Sequence, residues 1–323
     1  MREPLVTIAL PVFNGEDFLE QALCSLLSQD YRNLELLILD NCSTDKTEQI
    51  CRSYAEADRR IRYHKHSVNL GWLENFNSAV YYARGEYFMY AAHDDLWEPN
   101  YLSELLKILQ QDAAIGLAFT RLDFIDESGR IFKNAAHPPD LKGAYSLFRN
   151  FLNYLMRFHY DYIVYGLYRS SMIKQTLPFH WVGGKTRHST ADFLFRFLGI
   201  AKARGSRKVL FHYRTKNRDI DVREGKRLDW VVTYIKDLLL FLLGLFRVIH
   251  AASFLLPQKL LLQFSAAIVI SFWLLRMITL ASLPRQLRIS IKTRLKDFRR
   301  HVLFITEMEN QNDDRLRSQR HGT

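Results

Sequence analysis

Short apolar segments alternate with helical segments along the first hundred residues, and this alternation constrains the fold more than any other feature of the sequence. The apolar segments are of strand length and lie at residues 5–10, 34–40, 61–66 and 85–95. Helical periodicity occurs between them, within 16–29, 41–57 and 71–84, and Asp45 and Glu48 have the spacing of a capping box. Strands that alternate with helices predict an α/β fold with a mostly parallel sheet that is covered on both faces.

Two carboxylates end the fourth apolar segment, although carboxylates are costly to bury without a partner. Asp94 and Asp95 follow the run "YFMYAAH", and Asp40 ends the second segment, "LELLILD". In a parallel sheet these strand ends share one edge, where ligands bind, and clustered carboxylates attract a hard cation such as Mg²⁺ or Mn²⁺. Helix caps or surface ion pairs are the alternative for each acid taken alone. His93 alternates away from Asp94, so we expect it to pack rather than to bind metal.

The composition is that of an ordinary globular protein with a basic balance. The 323 residues carry a net charge of +11, which suits a polyanion or an anionic membrane face. Cys24, Cys42 and Cys51 are odd in number, and we interpret them as reduced thiols of a cytosolic domain. The N-terminal apolar run is short and is followed at once by a proline and an asparagine-glycine pair, so it is typical of a first strand and not of a signal peptide.

The composition changes after about residue 225. Residues 229–257 and 264–283 are strongly apolar, and the second stretch is long enough to span a bilayer. Arg276 and several hydroxyl side chains share one side of that stretch, so we favour helices that lie in the membrane interface or pack on the domain, with a transmembrane helix at 264–283 as the alternative. Residues 285–300 hold seven basic residues against Asp297, which indicates contact with anionic headgroups, or else a solvated helix face.

Three segments in chain order resemble the inverting family 2 glycosyltransferases, which have the nucleotide-sugar-binding GT-A fold. "VTIALPVFNGEDFLEQALCSLLSQDY" is similar to the family's first strand, nucleoside loop and helix, and "LELLILDNCSTD" to its second strand and acidic turn. "NLGWLENFNSAVYYARGEYFMYAAHDD" is similar to its asparagine-glycine segment and metal-binding strand. The order and spacing of these pieces over roughly residues 5–215 are more specific than any piece alone. The resemblance implies a GT-A domain over 1–225; from composition we expect membrane-associating or packing helices over 226–300 and a disordered tail over 301–323.

The resemblance also implies which residues bind the donor. The residues that match the family's donor-binding positions are Pro11, Val12, Phe13, Asn14, Asp40, Asn69, Gly71 and Asn77. Asp40 is the one expected to accept a hydrogen bond from the base, as a carboxylate can from an imide N–H. His212 and Arg214, in a late strand similar to the family's "YR" element, are placed at the diphosphate, or else belong to the surface charge.

A divalent cation and a base complete the set of groups that the resemblance implies. Asp94 and Asp95 match the family's acidic metal motif, but the aspartate often found two positions earlier is Ala92 here, which leaves fewer ligands for Mg²⁺ or Mn²⁺. Some relatives also lack that acid, so we do not interpret Ala92 as inactivation. The base that takes the acceptor's proton opens a later helix in the family, and Asp192 is the only acid of the matching segment, 183–199.

The role of Asp192 has alternatives. Asp192 would act only on the helix dipole if it lay in the first turn of a helix without contacting an acceptor. Asp161 and Glu98 are the substitutes for the base, and Glu98 precedes a proline where a helix start is expected, which is typical of a dipole partner.

These observations favour a cytoplasmic glycosyltransferase that is peripheral or monotopic at the membrane. The resemblance implies transfer with inversion from a nucleotide-sugar donor, most commonly a uridine diphosphate sugar, to a glycan or lipid-linked acceptor; no nucleic acid partner is expected. A catalytically silent nucleotide-sugar-binding scaffold is the second interpretation, for which Ala92 is the best support. A polyprenyl-phosphate sugar transferase is a third, and it fits the apolar C-terminal third of the chain.

Overall fold

The computed structural model describes residues 3–134, 161–179, 197, 200–215 and 263. The strands are β1 Val6–Val12, β2 Leu34–Asp40, β3 Ile61–Lys65, β4 Tyr87–Tyr90, β5 Leu96–Trp97, β6 Ile115–Ile125, β7 Ile131–Asn134, β8 Leu167–Arg169 and β9 Lys202–Arg214. The helices are α1 Leu19–Leu27, α2 Thr47–Ala57, α3 Trp72–Tyr82, α4 Tyr101–Gln111 and the single turn α5 Ser170–Ile173. Two 3₁₀ helices, Asp161–Tyr165 and Lys174–Thr176, flank β8 and α5.

All nine strands belong to one mixed sheet. Its order is β3-β2-β1-β4-β8-β6-β9-β5, with β7 paired to β6. The first four strands in this order are parallel to one another, and β9 is parallel to β6. β5, β7 and β8 pair antiparallel with their neighbours. The alternating sequence pattern thus predicted the parallel part of the sheet correctly.

The centre of the sheet is buried on both faces. Every residue of β1 and β2 is buried, and successive side chains of a strand point to opposite faces, so helices must cover both sides. α1 contributes Leu19, Leu23 and Leu26 to the core, as its helical periodicity predicted. This buried sheet fixes the strand ends from which the loops of the candidate site project.

β1 extends further than the sequence indicated. Pro11 and Val12, expected in a loop, continue the strand and pair with Leu39 and Asp40 of β2. A proline is tolerated in this strand because the pairing of β1 with β4 already ends at Ala9. The backbone of Pro11 and Val12 therefore lies in the sheet, and the loop after β1 begins at Phe13.

β4 is shorter than the apolar run that predicted it. The strand ends at Tyr90, and the acids lie in a connection, residues 91–95, that leads directly to the two-residue strand β5. Because β5 pairs with β9, the acidic connection leads from β4 to the last pair of strands in the sheet order. The carboxyl ends of β1, β2, β3 and β4 nevertheless lie at one edge, as expected from their parallel pairing.

Candidate active site

The loops after β1 and β2 are joined by hydrogen bonds at the carboxyl edge of the sheet. Asn14 and Cys42 both have left-handed backbones, with φ of 49° and 64°. The Asn14 N–H donates to Ser43 Oγ at 3.0 Å, and Asn14 Oδ1 accepts from the Thr44 N–H at 2.9 Å. The side-chain oxygen of Asn14 is thus occupied in holding the two loops together.

The start of α2 adds a second connection between these loops. Asp45 accepts from the Thr47 N–H at 3.0 Å and from the Glu16 N–H at 3.1 Å, and Glu16 accepts from the Lys46 N–H at 2.9 Å. The predicted capping box does not form. The N-cap of α2 is Lys46, which makes no side-chain cap bond, and Asp45 accepts from the N–H of Thr47, the first helical residue. Glu48 accepts from basic side chains of α2 and β3.

Asp40, expected to contact the base, is fully buried beneath the loops. Its Oδ1 accepts from the Ser43 N–H at 2.8 Å, and its Oδ2 accepts from the Tyr63 hydroxyl at 2.7 Å. Burial and the bond to Asp40 raise the pKa of Tyr63, so the hydroxyl stays a neutral donor. A base that contacts Asp40 has to share an oxygen with Ser43 or displace Tyr63.

The asparagine-glycine segment is tied to the loop after β2. Asn41 Nδ2 donates to Asn69 Oδ1 at 2.9 Å, and Asn41 Oδ1 accepts from the Leu70 N–H at 2.8 Å. Asn69 Oδ1 also accepts from the Gly71 N–H at 2.8 Å. Gly71 has φ of 79° just before α3, a conformation in which glycine is unstrained. Asn69 is exposed, so its amide nitrogen is the group that can meet a ligand.

Asp94 and Asp95 differ in environment. Asp94 is partly exposed, whereas Asp95 is buried and its Oδ1 accepts from the Arg214 N–H at 2.8 Å. The His93 ring lies close to Gly15 in the loop after β1, since a Cβ added at Gly15 would lie 2.8 Å from the ring. The acidic connection therefore packs directly against the loop expected to hold the nucleoside.

The carboxylates fit a divalent cation that takes few protein ligands. Among the residues described, no group of three or more histidine, cysteine or acidic side chains is arranged to hold a metal. Mg²⁺ and Mn²⁺ prefer oxygen ligands, and Mg²⁺ usually binds through one or two carboxylates together with substrate phosphates. Asp94 and Asp95 fit that mode of binding better than a site formed by protein ligands alone.

His212 and Arg214, which the resemblance placed at the diphosphate, both bond within the protein. His212 Nε2 lies 2.9 Å from Glu98 Oε1, so Glu98, expected to act on a helix dipole, has a side-chain partner. Arg214 is 3% exposed, and its guanidinium bonds to main-chain carbonyls and to Gln21. A contact of Arg214 with phosphate through more than one N–H would require some of these bonds to break, because four of its five guanidinium donors are used within the protein.

The remaining predicted residues lie apart from this edge or outside the described residues. Asn77 is buried on α3 and bonds to the backbone of Phe179. Asp192 lies outside the described residues, but Phe179 and Phe197, which precede and follow it, are both buried. Sequence reasoning missed Tyr63, Ser43, Asn41 and Gln21, whose roles depend on contacts between separate loops.

Comparison with known proteins decides the family. Residues 7–177, a little over half of the chain, match the family model described as glycosyl transferase family 2. The chain belongs to glycosyl transferase family 2. The family predicted from the motifs is therefore confirmed.

Relatives in this family match the N-terminal part of the chain. An uncharacterised glycosyltransferase of Rickettsia typhi is 36% identical over 108 residues, 33% of each protein. An uncharacterised glycosyltransferase of Methanocaldococcus jannaschii is 33% identical over 135 residues, 41% of this chain and 47% of that protein. The putative teichuronic acid biosynthesis glycosyltransferase TuaG of Bacillus subtilis is 29% identical over 138 residues, 43% of this chain and 54% of that protein. The matches thus span from a third to about half of these relatives.

Solved structures share the fold. S. aureus TarS 1–349 in complex with UDP matches with a TM-score of 0.55 and 17% identity, over 80% of this chain and 69% of that one. Mannosyltransferase PcManGT from Pyrobaculum calidifontis, in complex with GDP-Man and Mn²⁺, matches with a TM-score of 0.52 and 17% identity, over 91% and 80%. The GT-A type of fold predicted for this family 2 chain is therefore confirmed.

The C-terminal predictions fall outside the described residues. No helix within the described part of the chain is long and apolar enough to cross a membrane. That part includes no residue of the stretches at 229–257 and 264–283 or of the basic cluster at 285–300. Cys24, Cys42 and Cys51 are free thiols.

Proposed function

We propose that this family 2 chain transfers a sugar from a nucleoside-diphosphate donor to a glycan or lipid-linked acceptor, with inversion at the anomeric carbon. The observation that carries the proposal is the position of Asp94 and Asp95. They lie after β4 at the carboxyl edge of the parallel strands, and the ring of the preceding residue, His93, lies close to Gly15 in the loop after β1. Ligands of open α/β sheets bind at this edge.

The loops after β1, β2 and β3 supply the donor site in this proposal. Phe13 is exposed beside the loop-joining Asn14, and Asn69 presents its amide nitrogen. The bonds among these loops hold their backbone in place before a ligand arrives, which reduces the entropy lost on binding. TarS binds UDP and UDP-GlcNAc, and PcManGT binds GDP-Man, in related folds. We take a uridine diphosphate sugar as the donor.

The chemical step needs charge compensation at the diphosphate and a base for the acceptor. Asp94 and Asp95 would hold Mg²⁺ or Mn²⁺ together with the donor phosphates. When bound, the cation offsets the negative charge that develops on the leaving diphosphate. Asp192 would accept the proton of the acceptor hydroxyl, which then attacks from the face opposite the leaving group. PcManGT was solved with Mn²⁺, which supports the choice of cation.

Donor turnover by the full chain tests this proposal. The chain is incubated with UDP-GlcNAc or GDP-mannose, in Mn²⁺ or in excess chelator, and the released nucleoside diphosphate is measured. We expect release from one of these donors only with Mn²⁺, and a loss of orders of magnitude in Asp94→Asn. Glu56→Gln, an exposed carboxylate on α2, is the control and should behave as the wild type. Full activity in chelator would contradict the proposed use of metal.

A silent nucleotide-sugar-binding protein is the second candidate, favoured by Ala92 and by the presence of only two carboxylates in the acidic connection. Calorimetry with UDP and the release assay together distinguish it, because a silent protein binds UDP but releases none from any donor.

We further propose that the C-terminal third holds the enzyme at the cytoplasmic face of the membrane. Extraction of labelled product into organic solvent then separates a lipid acceptor, polyprenyl phosphate included, from a soluble glycan.

A further inference from the structure

Arg214, the last residue of β9, contacts three other parts of the chain: residues 94–95, residues 126–127, and α1 with the residue before it. Its Nε donates to the Asp94 carbonyl at 2.8 Å, and its backbone N–H donates to Asp95 Oδ1 at 2.8 Å. Its other guanidinium bonds go to the main-chain carbonyls of residues 126 and 127, at 3.0 and 2.8 Å, and to Gln21 Oε1 at 2.8 Å. The guanidinium also lies over the Phe18 ring, 4.5 Å from its centroid.

These contacts use most of the hydrogen-bond donors of the Arg214 side chain. A guanidinium has five N–H donors, and four of these are directed to the acceptors above. A buried charge of this kind is retained only where it is paired and hydrogen-bonded. Burial lowers the pKa of Arg214, and the nearby carboxylates, Asp94 and Asp95 foremost, oppose that shift. The side chain is therefore a fixed structural cation.

The bonds of Arg214 fall on both acids of the candidate metal site. The side-chain Nε holds the carbonyl of Asp94, and the backbone N–H holds the carboxylate of Asp95, so Arg214 contacts the main chain of one acid and the side chain of the other. Lysine cannot replace this arrangement, because it has a single nitrogen and no planar fork. Gln21, which lies in α1, and Phe18, the residue just before α1, hold the guanidinium in place.

We infer that Arg214 is a positioning residue that holds the Asp94–Asp95 turn in the conformation that binds the divalent cation and the donor phosphates. This inference rests on the proposed function, since it needs a cation at these acids. Arg214 acts through the turn and not by contact with the donor. Groups that orient metal ligands typically change metal affinity by about 10–100-fold when they are replaced.

Arg169 provides a matched control at the other end of the sheet. It lies at the end of β8, opposite Tyr87 at the start of β4. It donates to the main-chain carbonyls of residues 109 and 115, and it lies over the Tyr87 ring, 5.6 Å from its centroid. Arg169 thus makes the same kinds of contact as Arg214 but none with the acidic connection at residues 91–95.

The test measures Mn²⁺ affinity without turnover. The free Mn²⁺ signal is followed by electron paramagnetic resonance as the full chain is titrated in the presence of UDP, and urea unfolding is recorded for each variant. Arg214→Lys and Arg169→Lys should both unfold at lower urea. Only Arg214→Lys should weaken Mn²⁺ binding, by about tenfold or more. Gln21→Ala, at an exposed position, keeps the arginine and should weaken Mn²⁺ binding in the same direction by a smaller factor.

The outcomes separate this inference from the proposed function. If the wild type binds no Mn²⁺ with UDP, the proposed metal site is wrong and the inference falls with it. If the wild type binds Mn²⁺ and both Arg214→Lys and Gln21→Ala bind it equally well, the inference alone is wrong. Equal weakening in Arg214→Lys and Arg169→Lys would show general loosening and would also overturn it. If Arg214→Lys does not fold, the inference is decided by comparing the Mn²⁺ affinity of Gln21→Ala with that of Arg169→Lys.

Discussion

Asn77 on α3 exchanges two hydrogen bonds with the backbone of Phe179, which lies 102 positions later in the chain. Its Nδ2 donates to the Phe179 carbonyl at 3.3 Å, and its Oδ1 accepts from the Phe179 N–H at 2.8 Å. Both residues are buried, and the Asn77 side chain satisfies the backbone N–H and carbonyl of Phe179, as a neighbouring strand would. This pair fixes the chain shortly before the segment that contains Asp192.

We expect Asn77→Leu to lower the free energy of unfolding by about 2 kcal/mol or more, because two buried backbone groups lose their partners. Urea unfolding of the full chain measures it. Asn33→Leu is the control, since Asn33 makes one exposed bond to the Glu3 carbonyl and should change stability little. A donor-binding role for Asn77 predicts the opposite pattern, with weaker UDP binding and unchanged stability.

The stability of the opposite edge of the sheet should depend on pH through Glu35. Burial raises the pKa of Glu35, but hydrogen bonds from Thr7, from the Arg84 backbone and from Arg62 outweigh burial, so the pKa is lowered. Because the pKa of Glu35 is lower in the folded state, its carboxylate stabilises the fold at pH values above the unfolded-state pKa of roughly 4.3. This stabilisation is lost as the pH falls through the folded-state pKa. Glu35→Gln should therefore destabilise by about 1–3 kcal/mol at pH 7.

The loss caused by Glu35→Gln should shrink as the pH falls below about 4, because the wild-type carboxylate is then protonated too. Unfolding curves at a series of pH values check this, with Glu56→Gln on the exposed face of α2 as the control. A difference that stays constant with pH would mean that the charge of Glu35 contributes nothing. Activity at pH 7 should be unchanged, since Glu35 lies away from the carboxyl edge.

Local pattern predicted the elements of the first hundred residues but not the contacts between distant ones. β2 was predicted with its observed ends because its apolar run and its last residue, Asp40, are both local features. β5 is too short to show a pattern, and it exists because β9 pairs with it. The resemblance of its segment to the family's "YR" element predicts Arg214 at the diphosphate, whereas its burial depends on a carbonyl 88 positions away.

The same reason explains the mixed result at the site. The expected positions of Asp40, Asp94 and Asp95 at one edge follow from parallel pairing, which alternating strands and helices predict. That Tyr63 bonds to Asp40 could not be predicted, because a tyrosine among apolar residues of a strand more often packs without a specific partner.

The two acids of the candidate metal site should differ when each is replaced by its amide. Asp94→Asn should weaken Mn²⁺ binding with little effect on stability, because Asp94 is partly exposed. Asp95→Asn should weaken both, because Asp95 is buried and its carboxylate accepts the backbone N–H of Arg214. Titration of Mn²⁺ in the presence of UDP and urea unfolding measure the two effects. Equal stability of the two variants would contradict the structural role of Asp95.

The base assignment predicts a specific kinetic change for Asp192→Asn. This substitution preserves shape and removes the proton acceptor, so kcat should fall by roughly 10²–10⁴-fold while UDP affinity stays near that of the wild type. Steady-state kinetics with saturating donor and acceptor measure kcat, and calorimetry measures UDP binding. An unchanged rate would exclude Asp192, and Asp161→Asn would be examined next.

Attachment to the membrane is the prediction that concerns the C-terminal third. The basic residues of 285–300 are Arg285, Arg288, Lys292, Arg294, Lys296, Arg299 and Arg300. Each contributes roughly 1 kcal/mol of attraction near an anionic leaflet, which adds to the burial of the apolar faces of 229–283. Such attraction would hold the active site close to a lipid-linked acceptor without a membrane span.

We therefore expect the full chain to sediment with anionic vesicles, and high salt or alkaline carbonate to release a substantial part of it. Replacing the seven basic residues of 285–300 by glutamine should reduce binding to anionic vesicles, because the electrostatic contribution is lost. Replacing exposed Arg52, on α2, and Arg59, just after α2, is the control and should leave binding unchanged. If only detergent releases the protein, the interfacial interpretation is wrong, and residues 264–283 would then cross the bilayer, because a stretch of that length and hydrophobicity resists salt and carbonate.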